Sequence, residues 1–237
     1  PADGYTLSYA VLPTVTTHYL DKSRQSFYTR DSFQTIALHF YTPAVLAVRT
    51  ESPIKTIKDL VAAAKEKPGT IKISDSGLMA VPHLQVVMLE RAAGVKFASV
   101  HFTGGAPSVT ALLGGHVDVL AGGVSDALAH KRAGTFRVLG VASDEPDPLI
   151  PDVPTIASQG FDVNAASWTG VLAPSGTPKA VVDILTATIK RVVDSEAHRK
   201  NLTDLGVTPR YLPPADYIKV WADIEARMRP IMEAPAQ

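Results

Sequence analysis

The chain has 237 residues, of which 46% are hydrophobic and 19% charged, and Lys+Arg and Asp+Glu both number 23. A chain of this length and composition can bury a large core, which excludes disorder as its main state. Because the charges balance, there is no basic excess to attract phosphate backbones, and nucleic acid is not expected as a partner. The chain has no cysteine, which excludes disulfides, thiol catalysis and Cys-ligated metals.

The N-terminal part reads as extended. Residues Tyr5 to Val11 have a strand-like pattern, and Ile36 to Val48 form a long apolar segment that Thr42-Pro43 is expected to interrupt. One strand and one irregular segment cannot bury their own faces. This part is therefore expected to need the C-terminal helices, or a further segment, to complete a core.

From residue 54 onwards, helical and strand patterns alternate. Thr56 is a predicted N-cap for a helix that carries Ile57 and Leu60 on its apolar face, and Gly69 follows its end. Further helices are predicted near Pro82 to Ala92, from Pro107, and over Asp126 to Ala133. The predicted strands are Thr70 to Ser74, Ala98 to Phe102, Val117 to Ala121, and Phe136 to Ala142. This alternation predicts an α/β fold with a parallel sheet covered on both faces.

The last third of the chain is predicted to be helical. Asp144 to Pro154 contains four prolines and is expected to be a loop. Helices are predicted from Pro178, over Glu196 to Leu205, and from Pro214. In the last of these, the 3 and 4 spacing of apolar residues indicates a core-facing side.

The segment Thr103-Gly104-Gly105-Ala106-Pro107-Ser108 lies between a predicted buried strand and a helix start. Its glycines let the backbone approach a ligand, and the helix N-terminus favours an anion such as a carboxylate or phosphate. A plain βα turn is the alternative. The P-loop Lys and the G-x-G-x-x-G spacing are absent, so the pattern does not favour a nucleotide.

Two further loops are expected at the same sheet edge. Ser74-Asp75-Ser76-Gly77-Leu78-Met79 follows one predicted strand, and Gly122-Gly123-Val124-Ser125 follows another. Ligands of open parallel sheets collect at the carboxyl ends of strands. The three loops are therefore predicted to face one pocket, with solvent-facing turns as the alternative.

Signals for catalysis or metal binding are weak. Neither G-x-S-x-G nor H-E-x-x-H occurs, and Ser76 has no base nearby in the sequence. His83, His101 and His116 are scattered along the chain and are interpreted as structural or incidental rather than as a metal cluster. The sequence thus predicts no catalytic residue, no metal and no cofactor.

Several motifs together resemble one family, the Bug family of periplasmic solute-binding receptors that serve tripartite tricarboxylate transporters. Asp3-Gly4-Tyr5-Thr6-Leu7 is similar to its D-G-Y-T-L strand entry. Gly104-Gly105-Ala106-Pro107, followed by Leu113 to Val119, resembles its G-G-A-P…L-L-G-G-x-V-D-V signature. Later segments keep the family's order and spacing: Val153-Pro154-Thr155, Trp168-Thr169-Gly170, Ala173 to Pro178, and Leu205 to Pro209.

The resemblance implies a two-lobed, type II periplasmic binding protein fold, with lobe 1 formed by residues 1–43 and 165–237 and lobe 2 by residues 44–164. Two strands are expected to cross between the lobes, near Thr42 to Val48 and near Ala165 to Leu172. The implied function is non-catalytic binding of a small organic carboxylate between the lobes and its delivery to membrane transporter subunits, by a periplasmic monomer. The residues expected to contact the ligand are Thr14, Tyr41, Ser76, Gly77, Leu78, Thr103, Gly104, Gly105, Ala106, Ser108, Gly122 and Trp168.

The chain departs from the family pattern in two respects. Family members carry a strand, a ligand-contacting loop and a helix before the D-G-Y-T-L strand, whereas Asp3 here has only two residues before it, so lobe 1 is expected to lack this unit. Where the family has S-G-x-G-S/T the chain has Ser76 to Ala80, and Gly122-Gly123 stand where a polar residue is common. A roomier, less polar pocket is expected, suited to a longer dicarboxylate or an aromatic carboxylate.

Two other functions remain open at this stage. The same two-lobed topology occurs in the effector-binding domain of transcription regulators, which would require a helix-turn-helix segment upstream. An α/β enzyme acting on a carboxylate through Ser76 or His83 is the other possibility, and it predicts turnover of the ligand.

Overall fold

The computed structural model describes residues 1–233, and its chain divides into two compact units. Among these residues, unit 1 comprises 1–41, 167–204 and 208–233, and unit 2 comprises 42–166 and 205–207. The boundaries expected from the sequence between lobe 1 and lobe 2 lie between residues 43 and 44 and between residues 164 and 165. No helix in the described part of the chain is both long and apolar enough to span a bilayer.

Unit 2 contains a five-stranded sheet and four helices. The strands are the C-terminal part of β2 (Phe33–Arg49), β3 (Lys72–Asp75), β4 (Ala98–His101), β5 (Val119–Gly123) and β6 (Phe136–Val141). The helices are α2 (Ile57–Glu66), α3 (Val81–Ala93), α4 (Gly105–Leu113) and α5 (Val124–Arg132). The strand order is β6-β2-β5-β3-β4.

The four strands predicted for a parallel sheet run in one direction, but β2 is inserted among them in the opposite direction. β3 is parallel to both β4 and β5, but β2 runs antiparallel to its two neighbours, β5 and β6. β2 precedes the alternating βα units in the chain, so its direction is not set by a crossover helix. The alternating pattern therefore predicted the parallel strands but gave no signal for the direction of β2.

The apolar run of β2 is explained by burial on both faces of the sheet. Leu46 and Val48 pack with Leu60 and Ile73 in one core cluster, whereas Val45 belongs to a second cluster on the opposite face. Successive side chains of a strand point to opposite faces, so a strand covered by helices on both sides has no polar alternation.

Unit 1 is built from a four-stranded sheet and four helices. The strands are β1 (Ser8–Leu12), β7 (Ala166–Pro174), the N-terminal part of β2 and β8 (Thr208–Leu212), in the order β1-β7-β2-β8. The helices are α1 (Thr14–Leu20), α6 (Lys179–Asp194), α7 (Glu196–Asp204) and α8 (Pro214–Met232). In the core of this unit, Tyr217 and Trp221 of α8 are fully buried, which confirms the apolar side predicted for this helix.

β2 is one continuous strand, so the predicted interruption at Thr42-Pro43 is wrong. Its paired residues lie on either side of Pro43: Tyr41 pairs with Thr208 of β8, and Ala44 pairs with Gly123 of β5. A proline is tolerated at this point because its missing N–H removes no bond from either ladder.

Candidate functional site

The loops that follow β3 and β4 are joined by main-chain hydrogen bonds at one edge of the unit 2 sheet. β3 ends at Asp75 and β4 at His101, and these two residues are register partners in the parallel ladder. The N–H of Phe102 donates to the Asp75 carbonyl at 2.9 Å, and the N–H of Gly104 donates to the Ser76 carbonyl at 3.2 Å. The two loops therefore form one surface, as expected for carboxyl ends of parallel strands.

The start of α4 has the geometry that an anion site requires. Gly104 precedes the helix with φ 114°, a conformation that L side chains rarely adopt. No side chain caps the first turn of α4, so its main-chain N–H groups and the positive end of the helix dipole are available to an anion.

One carboxylate of the protein lies beside this helix start. A Cβ built on Gly105 would be 2.4 Å from Oδ1 of Asp126, so the glycine leaves room for that side chain. Oδ2 of Asp126 accepts a hydrogen bond from the N–H of Gly123 at 2.8 Å. Burial raises the pKa of Asp126, and the Gly123 hydrogen bond opposes this shift. Asp126 thus connects the end of β5 to the start of α4.

Ser108 has a structural contact inside this site. Its side chain is fully buried, and Oγ donates to the Asp75 carbonyl at 2.7 Å. This hydroxyl holds α4 against the end of β3 and so supports the surface that the two loops form.

A cluster of three titratable side chains, Asp75, His83 and His101, supports the loop after β3. The Asp75 carboxylate is fully buried and accepts hydrogen bonds from the Gly77 N–H at 2.9 Å and from Nδ1 of His101 at 2.9 and 3.0 Å. The His83 and His101 rings meet edge to face, with centroids 4.8 Å apart. The interpretation of these two histidines as scattered is therefore wrong, because the fold brings them together.

The cluster has a metal-like composition but not the protonation state that a metal needs. One ligand atom from each of the three residues lies within 4.8 Å of the others. However, Nδ1 of His83 accepts the Met79 N–H at 3.1 Å, which leaves the proton of a neutral ring on Nε2. Neither nitrogen of His83 then offers a free lone pair, so this arrangement does not favour metal coordination.

Unit 1 holds three of the predicted ligand residues. Thr14 is exposed as the first residue of α1. The Tyr41 and Trp168 rings pack together with centroids 4.7 Å apart, and the Arg210 guanidinium lies over both rings, 5.7 and 5.2 Å from their centroids. In the described part of the chain Arg210 forms no salt bridge, so its positive charge is oriented by the rings alone.

The other predicted ligand residues belong to unit 2. Gly122 is buried inside β5, where it pairs with Val45 of β2. Leu78 is 68% exposed. The residues that lie on the connected loops or in the first turns of α4 are Ser76, Gly77, Leu78, Thr103, Gly104, Gly105, Ala106 and Ser108.

Four side chains that support or border these predicted ligand residues were not themselves predicted to belong to the site: Asp75, Asp126, His101 and Arg210. A signal existed for Asp75 and His101, since Asp75 directly follows the predicted strand Thr70 to Ser74, His101 lies next to the end of the predicted strand Ala98 to Phe102, and the ends of parallel strands are neighbours. Asp126 had only the weaker signal of an acidic residue in the first turn of a helix. Nothing in the sequence indicated that Arg210 would lie over Tyr41 and Trp168.

A separate cavity of about 320 Å³ lies in unit 1. Three of its lining side chains already satisfy one carboxylate: Tyr19 donates to Glu225 at 2.8 Å, and Arg30 and Arg229 pair with Glu225 at 3.3 and 2.7 Å. None of the predicted ligand residues lines this cavity, and its charges are compensated internally.

Comparison with known proteins identifies the family of this chain. Residues 1–236 match the model of the tripartite tricarboxylate transporter family receptor, TctC. A protein encoded in the tcbD-tcbE intergenic region of Pseudomonas sp. strain P51 is 32% identical over 211 residues, which are 87% of this chain and 62% of that protein. The chain thus spans less than two thirds of the length of this relative.

Among solved structures of similar fold, one carries the same family description and two were solved with a bound carboxylate. A TctC solute-binding protein from Polaromonas superposes with a TM-score of 0.85 at 25% identity, covering 98% of this chain and 79% of that one. A Rhodopseudomonas palustris protein solved with adipate gives a TM-score of 0.84 at 27% identity, covering 98% and 78% of the two chains. MatC from the same organism, solved with bound malate, gives 0.82 at 28% identity, covering 98% and 81%. The mixed α/β units described above are those of a periplasmic binding protein fold.

Proposed function

Because the chain belongs to the tripartite tricarboxylate transporter receptor family, we propose that it is a non-catalytic receptor that binds a small organic carboxylate. We propose further that it works as a monomer in the periplasm and delivers this ligand to the membrane subunits of a transporter. Neither a cofactor nor nucleic acid has a part in this function.

The observation that carries the proposal is the start of α4. Gly105 and Ala106 bring uncapped main-chain N–H groups to the sheet edge, and the N–H of Gly104 ties the helix start to the loop after β3. Main-chain donors at a helix N-terminus suit a carboxylate. The adipate and malate bound by two relatives have this chemistry.

The side chains of the loop favour a ligand with an apolar part. Leu78 is 68% exposed on the loop after β3, and Thr103 is the exposed polar residue on the neighbouring loop. An apolar chain or ring of the ligand that covers this leucine would stabilise the complex, because apolar surface is removed from water. We therefore propose a longer dicarboxylate or an aromatic carboxylate rather than a short, heavily hydroxylated acid.

Calorimetric titration with adipate, malate and benzoate tests this function. The purified protein is expected to bind at least one of the three, with adipate or benzoate tighter than malate. The same mixtures are then analysed for product, because turnover would favour an enzyme. Absence of binding across a wider series of carboxylates would contradict the proposal.

The substitution Gly105→Ala tests the position of the site. Its Cβ would meet the Asp126 carboxylate at 2.4 Å, so either that carboxylate or the first turn of α4 has to shift. Because either shift alters the surroundings of the helix N-terminus, we expect affinity to fall by about tenfold, or roughly 1.4 kcal/mol. Gly114→Ala, at the other end of α4, is the matched control because the closest contact of its Cβ would be the ring of the exposed His116. Equal affinity of both variants would place the ligand elsewhere.

A further inference from the structure

The loop Ser76–Ala80, called the β3 loop below, is held in an unusual conformation by two side chains. Gly77 has φ 139° and Met79 has φ 62°, and Met79 is the one described non-glycine residue with positive φ. Such a residue is strained unless its surroundings hold it. Two side-chain acceptors bind this loop, Asp75 from the Gly77 N–H and Nδ1 of His83 from the Met79 N–H, and a main-chain bond from the Ala80 N–H to the Gly77 carbonyl closes the turn around Met79.

We infer that neutral His83 is the positioning residue that fastens the β3 loop, and that its protonation releases the loop. Nδ1 accepts from the Met79 N–H only while it carries no proton, since a protonated ring has two donors and no acceptor. Acid would thus place an N–H of the ring against the N–H of Met79. The inference rests on the proposed function in one respect, which is that the released loop contacts the ligand.

The surroundings of His83 determine how readily its ring takes up a proton. The charged and titratable groups that face it are Asp75 at the end of β3, His101 at the end of β4, and Glu90 on α3. Burial lowers the pKa of His83 from its ordinary value of 6.5; the two carboxylates oppose this shift, and His101 adds to it. His101 sits directly on the Asp75 carboxylate, whereas His83 lies in the first turn of α3, where the helix dipole disfavours a positive charge.

The direction of the pH effect follows from this arrangement. Above about pH 6.5 His83 is neutral and the β3 loop is fastened. As the pH falls through the lowered pKa of His83, the Met79 bond is lost and the loop opens. A receptor with such a loop would release carboxylate in acid through a change in the protein, in addition to any protonation of the ligand.

Amide hydrogen exchange of Met79 tests the inference without any ligand. In the wild-type protein, protection of this amide relative to its intrinsic exchange rate is expected to be high at about pH 7.5 and to fall at least tenfold at about pH 5. His83→Leu, which fills the space but has no acceptor, should lack protection at both values. His83→Asn, whose side-chain oxygen can replace Nδ1 without titrating, should keep it at both. Equal protection in wild type and His83→Leu would overturn the inference.

Adipate titrations of the same variants connect the loop to binding. Adipate itself begins to protonate in this range, so the informative quantity is the ratio of wild-type to His83→Asn affinity at each pH, which is expected to fall several-fold from about pH 7.5 to about pH 5. His116→Asn, at an exposed histidine of the same unit, should follow the wild type. A constant ratio alongside pH-dependent Met79 protection would show that the loop does not contact this ligand. If neither adipate nor malate nor benzoate binds at any pH, that result counts against the proposed function alone, and the Met79 exchange still decides the inference.

Discussion

Asp126 is a negatively charged side chain beside the helix start where a ligand carboxylate is proposed to bind. Asp126→Asn keeps an oxygen that can accept the Gly123 N–H and removes the charge. Because like charges a few ångströms apart repel, we expect this variant to bind adipate several-fold more tightly. Asp162→Asn removes an exposed carboxylate elsewhere in the same unit and serves as the control. A loss of affinity in Asp126→Asn alone would instead show that the charge is needed to hold the loops.

Trp168 offers a spectroscopic test of the predicted ligand residues in unit 1. The chain has two tryptophans, and Trp221 is fully buried, whereas Trp168 is partly exposed beside Tyr41 and Arg210. Saturating adipate is expected to change the fluorescence of the wild-type protein, because the environment of Trp168 changes. The change should disappear in Trp168→Phe. A change that survives in this variant would assign the signal to Trp221 and remove Trp168 from the site.

The sequence allowed part of this site to be predicted. The glycines of the α4 start were recognised because a strand, two glycines and a helix start follow one another directly in the chain. The Asp75–His101 pair was missed because its two members are brought together by strand register, which depends on the pairing of β3 with β4. Arg210 was missed for a similar reason, since its contact with Trp168 requires the placement of both β7 and β8.

Glu225 of α8 is contacted by three polar side chains of unit 1. It accepts from Tyr19 of α1 and pairs with Arg30 and Arg229, and its side chain is 16% exposed. Glu225→Gln is expected to lower the free energy of unfolding by about 1–3 kcal/mol, because charge-assisted hydrogen bonds are lost from a largely buried group. Urea unfolding measures this.

The matched control for this variant lies on the same helix. Asp223 pairs with Arg227 four residues later, but its side chain is 59% exposed, and exposed pairs contribute about 1 kcal/mol or less. Asp223→Asn should therefore unfold at nearly the wild-type urea concentration. Equal destabilisation by both substitutions would mean that Glu225 acts as one more surface charge.

Elements with local signals were predicted well, whereas α1 and β8, whose residues favour other structures, were not. α2 was expected from Thr56, and the structure shows Thr56 and Asp59 capping it reciprocally, which confirms the prediction. α1 was missed because Thr14, Val15, Thr16 and Thr17 are β-branched and favour strands; its packing against α8 overrides that preference. β8 was missed because Pro209 argues against a strand, yet β8 is an edge strand, where proline is tolerated.

At the scale of the whole molecule, the stability of the fold is expected to decline in acid. Burial and the nearby His198 lower the pKa of His39 in unit 1 to about 4, and burial lowers that of His83 in unit 2. A histidine with a lowered native pKa binds protons first in the unfolded chain. Its stabilising effect is therefore complete above about pH 6.5 and is lost as the pH falls from there towards the native value.

Calorimetric melting curves check this sign. The melting temperature is expected to be lower at pH 5 than at pH 7.5, and the double variant His39→Gln/His83→Asn should show a smaller decrease than the wild type. His116→Asn should leave the pH dependence unchanged. A wild-type protein that melts at the same temperature at both values would contradict the expected linkage.

The continuous strand β2 also has a consequence for how fast the chain can fold. Its first half pairs with β8, near the end of the chain, since Phe40 is the register partner of Pro209, and its second half pairs with β5 and β6. Contacts between residues so far apart in sequence require large loops to close before they return any stabilisation. The sheet of unit 1 cannot be completed until the C-terminal residues have left the ribosome, and for that period the apolar N-terminal half of β2 is an open edge that needs protection from aggregation.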